Sequence, residues 1–119
     1  MRPFASPSLE VRPVGDRWVV EATGDLDVAS AAGLRRTLHE LVVEGHVHVV
    51  LDLRQVGFLD SSGLGVLVAA QRKLRAFRGS LVLVTDESAA TSQVVRVLGL
   101  TGLDRVLRRV DTLEEAVGA

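Results

Sequence analysis

The sequence predicts an α/β domain: a mixed sheet with a short antiparallel start, then parallel strands alternating with about four helices. Two patterns carry that expectation. Near-continuous apolar runs, Val47 to Leu53 and Leu81 to Val84, suit strands covered on both faces, as in a parallel sheet. The stretches that separate and follow them repeat their apolar residues at helical spacing. Length sets the frame, because 119 residues, 47% of them hydrophobic, make one domain with ample core and no linker or repeat.

In chain order, two prolines interrupt any regular pattern at the start, so residues 1–8 are expected to be a flexible tail and 9–119 the domain. Leu9, Val11 and Val14 alternate with polar residues as an edge strand would. Gly15-Asp16 signals a turn, and Trp18 to Ala22 reads as the hairpin partner. Gly24-Asp25-Leu26-Asp27 closes that strand, with Asp27 placed to cap a helix over about Val28 to Glu44. Ala31, Leu34, Leu38, Leu41 and Val42 fall on one side of it, and Gly45 ends it. A buried strand over His46 to Leu53 follows.

A second helix is expected from Ser61 or Ser62 to about Phe77. Its final basic residues Arg72, Lys73, Arg75 and Arg78 complement the negative end of the helix dipole, and Gly79 stops it. After the strand Leu81 to Val84, a third helix spans roughly Ala89 to Leu98 and ends at Gly99. Val106-Leu107 is read as a short last strand. Thr112 with Glu115 three residues later makes a capping box that opens a final short helix.

Composition narrows the function. Trp18, Phe4, Phe58 and Phe77 are the only aromatics, too few for a stacking platform on single-stranded nucleic acid. A formal net charge of −1 exerts no general pull on a phosphate backbone. Without cysteine there is neither disulfide nor thiolate metal site. The N-terminus lacks a signal-peptide core, and the apolar run Gly63 to Ala70 is far too short to span a bilayer. A cytoplasmic protein that binds no nucleic acid and does not insert directly into a membrane is expected.

Enzyme templates fail in turn. Gly63-Leu64-Gly65 is followed by Val68 where a dinucleotide fingerprint needs its third glycine. The only lysine, Lys73, lies mid-helix and not in a phosphate-binding loop. Position 60 is Asp where a nucleophile elbow around Ser62 needs Gly. His46 and His48 are two residues apart but have no third ligand nearby, so no metal is expected. A phosphoacceptor receiver domain would use paired acids, which Asp25 and Asp27 loosely mimic. It would also need a lysine after the last strand to steady the acyl phosphate, and none exists. The chain is therefore expected to be no enzyme and to need no cofactor.

There remains Arg54 to Leu59 running into Asp60-Ser61-Ser62-Gly63-Leu64-Gly65. Two hydroxyls stand there at the positive end of a helix, among free backbone N–H groups. Helix starts favour Ser, Asp and Gly simply as caps. A phosphoserine in the same place would be tolerated by the helix dipole, so it could switch a docking surface without unfolding it. Asp27 and Asp60 would make that surface more negative still. Gly63 and Gly65 suit either close approach by a partner or close helix–sheet packing, and both remain open at this point.

Gly24-Asp25-Leu26-Asp27 before a helix, then Leu51-Asp52-Leu53, then Phe58 to Leu67 containing Asp-Ser-Ser-Gly-Leu-Gly, resembles the STAS domain of bacterial anti-sigma factor antagonists. The similarity runs from about residue 9 to 117 and includes Leu98-Gly99-Leu100-Thr101-Gly102-Leu103. It implies a STAS-like sheet and a partner-switching role in transcription regulation and stress response. The unphosphorylated chain would bind an anti-sigma factor that is itself a serine kinase, releasing the sigma factor. Phosphorylation of Ser61, with Ser62 as runner-up, would end that binding, and a serine phosphatase would reset it. Asp25, Asp27, Asp60, Ser61, Ser62, Gly63, Leu64 and Gly65 would form the partner-binding face. The same resemblance allows a non-switching interaction module, bound to a membrane transporter or a stress-signalling assembly. An open edge over residues 9–22 allows a monomer or a weak dimer.

Overall fold

The computed structural model describes residues 8–86 and 92–118. Residues 1–7, most of the expected tail, lie outside them, as does the expected third-helix start at Ala89.

Strand β1 (Ser8–Val14) pairs antiparallel with β2 (Arg17–Thr23) from Ser8↔Thr23 to Val14↔Arg17. Gly15 turns the chain between them with φ of 59°, a value that suits glycine at the first central position of a two-residue hairpin. Helix α1 (Val28–Val43) leads to β3 (His48–Gln55), and α2 (Ser61–Ala76) leads to β4 (Ser80–Val84). Strands β2, β3 and β4 are parallel neighbours. Helix α3 (Gln93–Thr101), a single 3₁₀ turn (Leu103–Arg105), β5 (Arg108–Val110) and α4 (Leu113–Gly118) complete the chain. The sheet order is β1-β2-β3-β4-β5.

Each parallel strand carries side chains into two cores. Val49, Leu51 and Leu53 of β3 join Leu34 of α1, Leu67 of α2 and Val94 of α3 on one face. Val50 joins Val19, Val82 and Ala116 of α4 on the other. Burial on both faces is why β3 reads as a continuous apolar run rather than an alternating one.

Several boundaries differ from expectation for local reasons. Helix α3 continues past Gly99 and stops at Gly102, whose φ of 75° is the left-handed cap. At the end of α2 the left-handed residue is Arg78, with φ of 62°, not Gly79. Gly79 is needed for a different reason: a Cβ there would overlap the carbonyl of Val47. The last strand is Arg108–Val110, pairing with Val82–Val84, while Leu107 is buried in the preceding turn. An edge strand with two arginines has no hydrophobic signature to find. Thr112 does cap α4, its Oγ1 accepting from Glu115 N at 3.1 Å.

Candidate functional site

Two loops at the C-terminal ends of the parallel strands bring the N-termini of α1 and α2 together. They are zipped by backbone bonds. Gly24 N donates to Gln55 O at 3.2 Å, Leu26 N to Phe58 O at 2.8 Å, and Asp60 N to Leu26 O at 3.2 Å. Leu26 and Leu59 form a parallel bridge, and both are buried. The loops share one pattern, Gly-x-Leu-Asp, as Gly24-Asp25-Leu26-Asp27 and Gly57-Phe58-Leu59-Asp60. In each, the leucine is the buried anchor and the aspartate is the helix cap. This duplication was present in the sequence and is the signal that would have paired the two loops.

Asp27 caps α1 through Oδ1, which accepts from Ala29 N at 3.0 Å and Ser30 N at 3.2 Å. Ser30 Oγ returns the bond by accepting from Asp27 N, and it donates to Asp25 O at 2.7 Å. Asp60 caps α2 in the same way, Oδ1 accepting from Ser62 N at 2.8 Å and Gly63 N at 3.1 Å. Capping therefore falls to the aspartates. Ser61 is the first helical residue, it is exposed, and among the described residues its hydroxyl has no hydrogen-bond partner. Ser62 is half-buried.

The two glycines separate cleanly. A Cβ on Gly63 would overlap Leu59 Cδ1 and lie 2.8 Å from Leu26 O, so Gly63 exists for packing of α2 onto the zipped loops. A Cβ on Gly65 meets nothing within 4 Å. Leu64 packs partly against the main core. Asp25, Asp27 and Asp60 carry three carboxylates on this one face, and among the described residues none is ion-paired. Two apolar side chains stand exposed next to these caps, Val28 at the first position of α1 and Phe58 in the loop two residues before Asp60.

Sequence reasoning missed Gln93. Its side-chain amide grips Leu59 at both backbone groups, Oε1 accepting from Leu59 N at 2.8 Å and Nε2 donating to Leu59 O at 2.9 Å. The contact joins residues 34 apart, so no local pattern announces it. Gln93→Ala is expected to lower stability by about 1 kcal/mol, since water reaches the part-buried groups and offsets some of the loss. Thermal melts together with amide exchange at Leu59 would check this, with exchange faster at Leu59 than in β3.

Other polar residues near the strands serve the scaffold. Asp52 is buried within β3 and takes a two-pronged ion pair from Arg54, Nε to Oδ1 at 3.0 Å and Nη2 to Oδ2 at 2.8 Å. The hydrogen bonds that Arg54 donates to Asp52 raise its guanidinium pKa above the ordinary value. His46 lies before β3 rather than in it and stacks on Trp18, with ring centroids 4.3 Å apart. His48 Nδ1 lies 3.0 Å from Ser80 Oγ. The two histidines therefore do not share a strand face. Among the described residues no three His, Cys, Asp or Glu side chains are grouped to hold a metal, and no helix is long and apolar enough to cross a membrane.

A five-stranded mixed sheet with a capped Asp-Ser-Ser-Gly helix start defines the class: residues 8–116 match the family described as the STAS domain, and the chain belongs to it. Its relatives within that family are named as regulators. The anti-sigma-F factor antagonist RsfB of Mycobacterium tuberculosis is 32% identical over 100 residues, covering 83% of this chain and 77% of that protein. A crystal structure of an anti-sigma factor antagonist from Mycobacterium paratuberculosis superposes with a TM-score of 0.82 at 29% identity, covering 94% and 92% of the two chains. A putative anti-sigma factor antagonist from Thermotoga maritima gives a TM-score of 0.83 at 28% identity, covering 92% of each chain.

Proposed function

We propose that this chain is an anti-sigma factor antagonist that works by partner switching, with Ser61 as the phosphoacceptor. One observation carries the choice of residue: Ser61 sits exposed on a helix start whose cap is already supplied by Asp60, so the fold makes no use of its hydroxyl. A phosphate there lies at the favourable end of the α2 dipole. It also adds about 1.5 to 2 negative charges beside three carboxylates, so an acidic or apolar partner surface would be repelled. Unphosphorylated, the face offers Val28, Phe58 and the bare backbone at Gly65 to an anti-sigma factor serine kinase. Phosphorylated, it releases that kinase, and a serine phosphatase restores it. The chemistry is done to this protein and not by it, in the cytoplasm.

The test is incubation with a candidate anti-sigma factor kinase and ATP, followed by intact-mass measurement. Wild type is expected to gain one phosphate, while Ser61→Ala binds the kinase and gains none. A phosphate persisting in Ser61→Ala would move the acceptor to Ser62. No mass shift, with a transporter ATPase co-purifying instead, would replace the switch by a non-switching module.

A further inference from the structure

Helices α1 and α2 both cross between parallel strands, so they run side by side in the same direction on one face of the sheet. Between them lies an open groove of about 240 Å³. Its walls and floor are Leu38, Val42, Val66, Ala69, Ala70 and Leu74. The groove exists because α2 presents Ala69 and Ala70, the two smallest side chains available to face a neighbouring helix without using glycine. Leu38 and Leu74, largely shielded from water, close the bottom.

The remaining lining residues are Arg35, His39 and Lys73. Lys73 Nζ donates to His39 Nδ1 across the groove, and Arg35 stands one turn before His39 on α1. None of the nine lining residues is acidic. Among the described residues neither Arg35 nor Lys73 has a carboxylate partner. An ordinary solvated helix face intersperses acids with its bases. Here an apolar trough is bordered by bases alone, and that combination is complementary to a molecule with an alkyl tail and an anionic head.

We propose that this groove binds a medium-chain alkyl carboxylate, its tail along Val66 to Leu74 and its head on Lys73 and Arg35. Size decides between this occupant and an acidic amphipathic peptide. An apolar cavity of about 150 Å³ takes a benzene ring, so a trough of about 240 Å³ suits a somewhat larger apolar group such as a medium alkyl chain. A peptide helix, about 10 Å across, would rest on the rim and leave the trough unfilled. The proposal is independent of the switch reading, because it concerns the middle of the two helices and not their N-termini.

The test is a methyl and amide chemical-shift titration of the full chain with sodium decanoate below its micelle concentration. Saturable shifts are expected at Val42, Val66, Ala69 and Ala70. Arg35→Glu combined with Lys73→Glu should weaken decanoate binding about tenfold, equivalent to about 1.4 kcal/mol, while decanol binding barely changes. Ala70→Leu, which fills the trough, should abolish both, with a thermal melt confirming that the variant folds. The charge-reversed variant alters only the groove rim and keeps the test decisive if Ala70→Leu does not fold. Non-saturating shifts, shifts centred on Val28 and Phe58, or decanoate binding unchanged by charge reversal would overturn the proposal. So would an acidic amphipathic peptide shifting these resonances where decanoate does not.

Discussion

Ser61→Asp is expected to weaken binding to the cognate anti-sigma factor about 100-fold, roughly 2.8 kcal/mol, while the circular dichroism spectrum stays native-like. Both halves follow from the capping arrangement. Because Asp60 already accepts from Ser62 N and Gly63 N, replacing Ser61 removes no bond the helix needs. An acidic residue in the first turn is favoured by the α2 dipole, so folding is unharmed. The cost appears only on docking. A fourth carboxylate joins Asp25, Asp27 and Asp60 on a surface that must lose water against a partner, and like charges brought together in an interface cost several kcal/mol. Phosphate carries more charge than Asp and more bulk, so phosphorylation of Ser61 is expected to cost more than the mimic. Swinging a bound fraction from 99:1 to 1:99 takes about 5.5 kcal/mol, of which the single Asp supplies only part. Calorimetric titration of the variant against the anti-sigma factor, beside its melting curve, gives the answer. A variant that unfolds would make Ser61 a structural residue, and a folded variant that binds as wild type does would remove the switch.

Much of this face was legible because its key residues act locally. Asp27 reads as a cap from its place before an apolar periodic stretch, and the structure has it bonding Ala29 N and Ser30 N. The β3 run was visible because both faces of the strand are covered. What was illegible depends on distant partners. Gln93 matters only because Leu59 lies opposite it, and Gly79 only because the Val47 carbonyl passes close by. Gly99 looked like a helix stop and is not one, since Leu98 is buried on α3 and the chain finds its left-handed residue three positions later at Gly102. Strand β5 starts two residues later than the apolar pair Val106-Leu107 suggests, because apolarity marks Leu107 whereas the paired edge is Arg108–Val110. Capping, by contrast, is legible at 60–62, but which residue performs it depends on geometry. Once Asp60 holds that role, Ser61 has no structural duty left.

The same local ambiguity surrounded Gly63 and Gly65, and their alanine variants are expected to move in opposite directions. Gly63→Ala places a methyl against Leu26 O at 2.8 Å, and a backbone carbonyl held by Asp60 N cannot swing away as a side chain can. Leu59 Cδ1 must also move, and Leu59 is a buried core side chain. Overpacking of this kind costs about 1–3 kcal/mol and more where backbone must shift, against which alanine regains about 1 kcal/mol of helix propensity. A net loss of about 2 kcal/mol follows, which for a chain of this size lowers Tm by about 8 °C. Gly65→Ala meets no atom within 4 Å and collects the propensity alone, so its Tm should rise by about 4 °C. Binding then separates the two roles further. Gly63→Ala spreads the zipped loops and disturbs Asp27, Asp60 and Ser61 together, whereas Gly65→Ala leaves them in place and adds one methyl to the exposed surface. If Gly65→Ala is more stable and yet binds the anti-sigma factor more weakly, the partner approaches the helix backbone at that glycine. If it binds as wild type does, contact is confined to the loops and the first turn. Equal destabilisation by both variants would contradict the packing described at Gly63.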